Sequence, residues 1–517
     1  MQHESGQTNS HFSNLPQELV DRILDELAQP FREGLHGHSE RWGKLQEWEA
    51  RTPNYSSSRY LKESSLVCRR FRPRCQFHLF AGLRIAMSQH GVAGTHDFTI
   101  TREGQRARVC SQIIQAGKTV LPATSLSIVL NFDNFEEFNH TDYADHIHLF
   151  QSIRQSSIRW ESLCLSGTGQ GSLRAHRSIT LETMLLRPFI RTADITEITL
   201  LNIKLVPFTL LSSCPGLNRL VCVDSTIEPP SQSKTPTTLE HVAHLIELSI
   251  YNTFNGFLFA CYGTNPSPLT WIQTLTTGAD SKCAPIIDIS KLRTLQLRTA
   301  ALKHSRIRRS AREAELNVHK LLAMQCGSHL SNLCVDIGDV SSGPVLFLPL
   351  HYFTNLAHLD VIANFSEANY ISLMTALPCF CQWLACLPQS RVLATINLHL
   401  EVTLFHVSIS TFLDAGWDAL ETTLMDLLKH SQCIKPHISF FFALSGVTPG
   451  VIKEIPGQYL QPRHEGDEHG IHSWQWVEMV QKIGRYVFQV ALPGRFLHLP
   501  RSERFCLSIY HGTKSNG

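Results

Sequence analysis

The chain has 517 residues, with 46 Lys+Arg against 44 Asp+Glu and a formal charge of +2. It is too long for one ordinary core, and the charge balance as a whole gives no argument for nucleic acid, an acidic substrate or a membrane surface. Residues of the AVILMFWYC set make up 43% and charged residues only 17%, which excludes disorder through low hydrophobicity and high charge over most of the chain. Leucine supplies 66 residues, and whether they are scattered or periodic decides the fold class.

No stretch approaches the roughly 20 apolar residues of a membrane span. The start, MQHESGQTNSHFSN, lacks a basic region followed by an apolar one, so no secretory signal is expected. Intracellular residence, cytoplasmic or nuclear, follows, and the 15 cysteines are expected reduced. Cys379, Cys381 and Cys386 form the one tight cluster, in PCFCQWLACLP, but no paired C-x2-C spacing accompanies them. An apolar helix carrying small residues is the expectation there.

Asn14 to Leu27 reads as a helix, with Asn14 able to cap it and Pro16 tolerated in its first turn. Leu19, Val20, Ile23, Leu24 and Leu27 fall on one apolar face. Residues 30–60, with Pro30, Gly34, Gly37, Gly43 and Pro53, read as a loop holding one helical turn near Trp42 to Trp48. Helical spacing resumes from Leu61 to Phe71, Pro73 is expected to end it, and CQFHLFAGLRI begins another short element. Ser125 to Leu130 is strand-like.

From about residue 155 a unit recurs, an apolar helical segment, a break at Cys, Pro, Gly or Asn, then a run L-x-x-L-x-L. The clean runs are Ile195/Ile198/Leu200, Leu245/Leu248/Ile250, Leu292/Leu295/Leu297, Leu330/Leu333/Val335, Leu356/Leu359/Val361 and Leu393/Ile396/Leu398. Weaker ones are Trp160/Leu163/Leu165 and Leu217/Leu220/Cys222. Each run predicts a short strand turned into a shared core, with the preceding helix stacked behind it. The run count is only about twice chance at this composition, so the shared order of helix, break and strand carries the inference. Gaps of about 22 to 47 residues exceed those of regular leucine-rich repeats, and an irregular leucine-rich repeat-like α/β solenoid is expected over 90–460. A compact α/β domain is the alternative, and a C-terminal acidic and His-rich loop and capping segment are expected over 461–517.

The blocks Leu15-Pro16-Gln17-Glu18-Leu19 with Ile23 and Leu27, then Ser65-Leu66-Val67-Cys68-Arg69-Arg70-Phe71 and Phe77-His78-Leu79-Phe80, resemble an F-box. They are similar to the F-box proteins of mushroom-type (basidiomycete) fungi, whose C-terminal parts are divergent leucine-rich arrays. The resemblance implies a helical module over 13–82 that docks on a Skp-type adaptor and through it a cullin. The chain would then be the substrate-recognition subunit of an SCF-type ubiquitin ligase and no enzyme itself. It implies that Leu15 and Pro16 face the adaptor, that Leu19, Ile23 and Leu27 divide between bundle core and adaptor groove, and that Leu66, Val67, Cys68 and Phe71 form a second packing block. The connection over 30–60 is far longer than the family's usual few residues. A leucine-rich interaction module without a ligase role, its N-terminal helices serving as a cap, is the alternative.

Sharper chemistry finds less support. His464 and His469 stand at i and i+5, not the i and i+4 of a zinc helix, and glycines flank them, which reads as a solvated loop. Lys303, Arg306, Arg308, Arg309 and Arg312 read as a solvated helix face. No Gly-rich phosphate loop or G-x-S-x-G elbow is present, and no cofactor or metal is expected.

Overall fold

A computed structural model describes residues 15–35, 55–67, 69–79, 82–88, 107–112, 114–115, 125–131, 144–156, 158–167, 186–192, 194–201, 203, 206–207, 210–211, 213–223, 225, 227–228, 243–252, 287–299, 320, 322–339, 348–365, 370–405, 416–429 and 435–445. The chain divides into two compact units, Met1–Leu217 and Asn218–Gly517. It is mixed α/β, built on parallel strands and several helices. Among the described residues, no helix is long and apolar enough to cross a membrane.

The first unit opens with α1 (Gln17–Leu35), α2 (Tyr55–Val67) and α3 (Arg72–Leu79). The carbonyl of Pro16 accepts the Val20 N–H at 3.2 Å, which places the proline one residue before the helix, outside its expected first turn. Val20, Leu24 and Ala28 recur every four residues and bury one stripe of α1 against Leu61 of α2 and Cys75 of α3. Leu15, Phe71 and Leu79 close this core partly.

Several expected boundaries move. α2 begins at Tyr55, inside the expected 30–60 loop, and ends at Val67 instead of Phe71. α1 continues through Pro30 to Leu35, although the proline leaves the carbonyl of Glu26 without its helical N–H. Pro73 does not end a helix; it sits in the first turn of α3, where a missing N–H costs nothing. Asn14, the turn near Trp42 to Trp48, the basic run Lys303 to Arg312, the 461–517 segment and its His464–His469 motif lie outside the described residues.

The same unit continues with β1 (Gly82–Ser88), β2 (Ser125–Asn131), α4 (Ala144–Gln155), β3 (Ser162–Gly167), α5 (Arg187–Thr192) and β4 (Glu197–Leu201). β1 to β4 pair in chain order, all parallel, and Leu126, Leu163 and Ile198 stand side by side in one row. Trp160, at the head of its run, packs edge-on against Phe189 of α5 with ring centroids 6.2 Å apart.

In the second unit β5 (Arg219–Val223), β6 (Glu247–Asn252), β7 (Thr294–Thr299), β8 (Asn332–Asp339), β9 (His358–Asn364), β10 (Thr395–Phe405) and β11 (Lys435–Ser445) also pair in chain order and in parallel. Their register aligns Leu220, Leu248, Leu295, Leu333, Leu359 and Ile396 in one row and Cys222, Ile250, Leu297, Val335, Val361, Leu398 and Ile438 in the next. Every residue of the eight sequence runs is buried. Alternate strand residues point to one face, so each run turns two leucine-type side chains inward and leaves the residues between them outward. Each such side chain contributes about 2 kcal/mol by leaving water.

One contact recurs at the head of these strands. Two consecutive N–H groups converge on a single carbonyl of the strand before: Ile246 and Glu247 on Asn218, Arg293 and Thr294 on Ile246, Ser331 and Asn332 on Arg293, Ala357 and His358 on Ser331, Ala394 and Thr395 on Ala357. The first unit repeats it, with Thr196 and Glu197 both donating to Glu161. Behind the runs, the segment from Cys379 to Ala385 is helical as expected, the end of α6 (Tyr370–Ala385), with Leu377, Phe380, Cys381 and Leu384 buried. The Trp383 indole N–H donates to the Leu348 carbonyl at 2.7 Å. α7 (Trp417–Lys429) follows Gly416, whose φ of +88° only glycine adopts without strain.

Candidate protein-docking surface

The first helix has two apolar stripes, and only one is used internally. Val20, Leu24 and Ala28 take the core, whereas Leu19, Ile23 and Leu27 are 47%, 45% and 48% exposed. The expected division of those three between core and groove therefore does not occur: one helical residue advances the face by about 100°, which turns the whole i, i+4, i+8 set outward together. Pro16 lies exposed at the same end of the helix.

The second expected block is likewise rearranged. Leu66 is 78% exposed and packs on nothing that would make it core, while Phe71 does pack partly against the helical core. Val67 is the last residue of α2, and Cys68 lies outside the described residues. Leu61 and Cys75 supply the burial instead. Leu15 packs partly on the core, and its carbonyl accepts a bond from Arg70 Nη2 at 2.8 Å.

A polar clasp missed in the sequence fixes α1 on α3. Arg74 grips Asp25 through Nε and Nη2 at 2.6 and 2.7 Å, and the fully buried His78 brings Nε2 to 2.7 Å from the same carboxylate. The Arg74 guanidinium, with His78 assisting against burial, lowers the Asp25 carboxyl to about 2. Arg70 reaches Gln17 Oε1 at 3.1 Å, and Arg74 stacks over Phe77 at 4.8 Å from the ring centre. Part of the basic run of Arg69 to Arg74 is thus spent holding helices together, and it needed an acidic partner about fifty residues away that no local pattern reveals.

The positions of β6 to β10 that alternate with the inward rows carry hydrogen bonds from strand to strand, and several of them, Ser249, Cys334 and Ile362 among others, are themselves buried. Ser249 Oγ donates to Gln296 Oε1 at 2.9 Å, Asn332 Nδ2 to Thr294 Oγ1 at 3.3 Å, and Asn397 Nδ2 to Asp360 Oδ1. His358 Nδ1 lies 2.7 Å from Thr395 Oγ1. Burial lowers the His399 pKa, against the pull of Asp360 and aided by His437.

Chemistry of other kinds has thin material. Ser111 Oγ lies 2.8 Å from Nδ1 of the exposed His148, but Ser111 is completely buried and also bonds Ser152, so its hydroxyl is tied into helix-to-helix packing. Every described cysteine is a free thiol, and burial pushes Cys214, Cys326 and Cys381 up to about 12, far from a reactive thiolate. Among the described residues, no group of three or more His, Cys, Asp or Glu is placed to hold a metal ion. In comparison with known proteins, no family model matches the chain and no curated relative matches it.

Proposed function

We propose that the chain is a substrate receptor of an SCF-type cullin ubiquitin ligase: its N-terminal helices form an F-box that docks on a Skp-type adaptor, and its parallel strands form an irregular leucine-rich solenoid that binds a target protein. The observation that carries the reading is the α1 stripe of Leu19, Ile23 and Leu27, half exposed beside a core that is already complete without it. A helix face with anchors at i, i+4 and i+8 suits a partner's apolar groove. Covering what remains of each side chain contributes about 1 kcal/mol per residue.

Support for the solenoid comes from the in-register rows and from the doubled N–H contact at the head of successive strands. The receptor needs no catalytic group of its own. Holding a target on the strands while docked to the adaptor makes ubiquitin transfer quasi-intramolecular, through effective concentration. Co-purification with a Skp-type adaptor tests this. Leu19→Asp with Ile23→Asp is expected to abolish capture without changing the melting temperature, because both residues lie outside the core; retention of the adaptor by the folded double variant overturns the docking model.

A further inference from the structure

Net charge near zero conceals an uneven distribution along the heads of the parallel strands. Where β3 and β4 begin, Arg159 Nε pairs with Asp194 at 3.0 Å. At β5 and β6, Arg219 pairs with Glu247 at 2.9 Å, and His244 ahead of β6 pairs with Asp288 ahead of β7 at 2.8 Å. Past Asp288 the compensation stops. Lys291 and Arg293 just before β7, and Arg391 just before β10, are exposed and form no ion pair with any described residue. Exposed His329 and His358 stand at the heads of β8 and β9 between them. Among the described residues at the heads of β7 to β10, the one Asp or Glu is Asp288 on the approach to β7, and it is the acid already paired with His244.

From this we infer that the N-terminal rim of β7 to β10 binds an acidic segment of a partner protein, with Lys291, Arg293 and Arg391 as its fixed cations. The three cations span about three strand spacings, roughly 14 Å, a length a short acidic peptide matches. Adjacent cations lie within about one or two Debye lengths, so their potentials add at physiological salt. A polyphosphate fits less well, because the outward face beside the rim carries the Asp360 carboxylate, whereas a protein segment meets the rim with acids and that carboxylate with neutral donors. The inference rests on the reading of the strands as the target-binding part and says what chemistry the target brings.

The test compares the full chain with the variant Lys291→Glu, Arg293→Glu, Arg391→Glu, using polyglutamate as probe and an oligothymidylate of equal charge as control. The wild type is expected to bind polyglutamate in a salt-sensitive way, and the variant about tenfold more weakly. Equal binding by both, or none by the wild type, overturns the inference. Tighter binding of the oligonucleotide, lost in the variant, overturns the assignment to a protein partner. If charge reversal impairs folding, the Gln triple variant is used, and an intermediate loss is expected. Adaptor capture by the variant stays intact, so failure here is separable from failure of the docking model.

Discussion

Asp25 illustrates how a single side chain joins helices that are far apart in sequence. Its carboxyl is depressed, so the clasp with Arg74 and His78 adds stability that is present above the unfolded carboxyl value near 3.9 and is lost as pH falls through about 2. Asp25→Asn is expected to lower stability at neutral pH by about 1 kcal/mol, the upper end for a partly exposed pair, and to flatten acid unfolding of the helices between about pH 4 and 2. Circular dichroism against pH reads both. Gly327 is a second decisive residue. A Cβ there would collide with the carbonyl oxygen of Ala323 and come within 2.5 Å of that of Tyr352, both backbone atoms that cannot swing aside. Gly327→Ala should therefore cost about 3 kcal/mol in chemical denaturation.

At the scale of elements, much was legible in the sequence and the losses have definite causes. The L-x-x-L-x-L runs located the strand cores because a two-residue alternation leaves no doubt about which side chains face inward. Helix α1 was located too, but not its orientation: Leu19 and Val20 are both good core residues, and only the packing of Leu61 and Cys75 decides between them. The contrast yields a paired prediction. Leu24→Ala should destabilise the helices by about 2–5 kcal/mol, whereas Ile23→Ala should alter stability by under about 0.5 kcal/mol. In the strands, Leu359→Ala removes a fully buried side chain from the middle of a row and should cost about 3 kcal/mol, read as a shift in the denaturation midpoint.

Across the whole molecule, the sequence fell short where the connections between strands vary in length. Irregular gaps weaken any periodicity search, yet the register from Leu220 to Ile396 is unbroken. The doubled contact at the heads of β6 to β10 explains how. A carbonyl of one strand receives two N–H groups of the next, so the starting points of β4 and of β6 to β10 are fixed by their neighbours and not by the number of residues in between. Length changes in a connection are then absorbed where they arise. An inserted stretch bulges outward, its closure cost growing only slowly with its size, and the following strand still begins at the same bond. Such a chain counts in strands instead of residues, which buffers it against insertion and deletion: its connections can drift in length over long descent while the rows of side chains stay aligned.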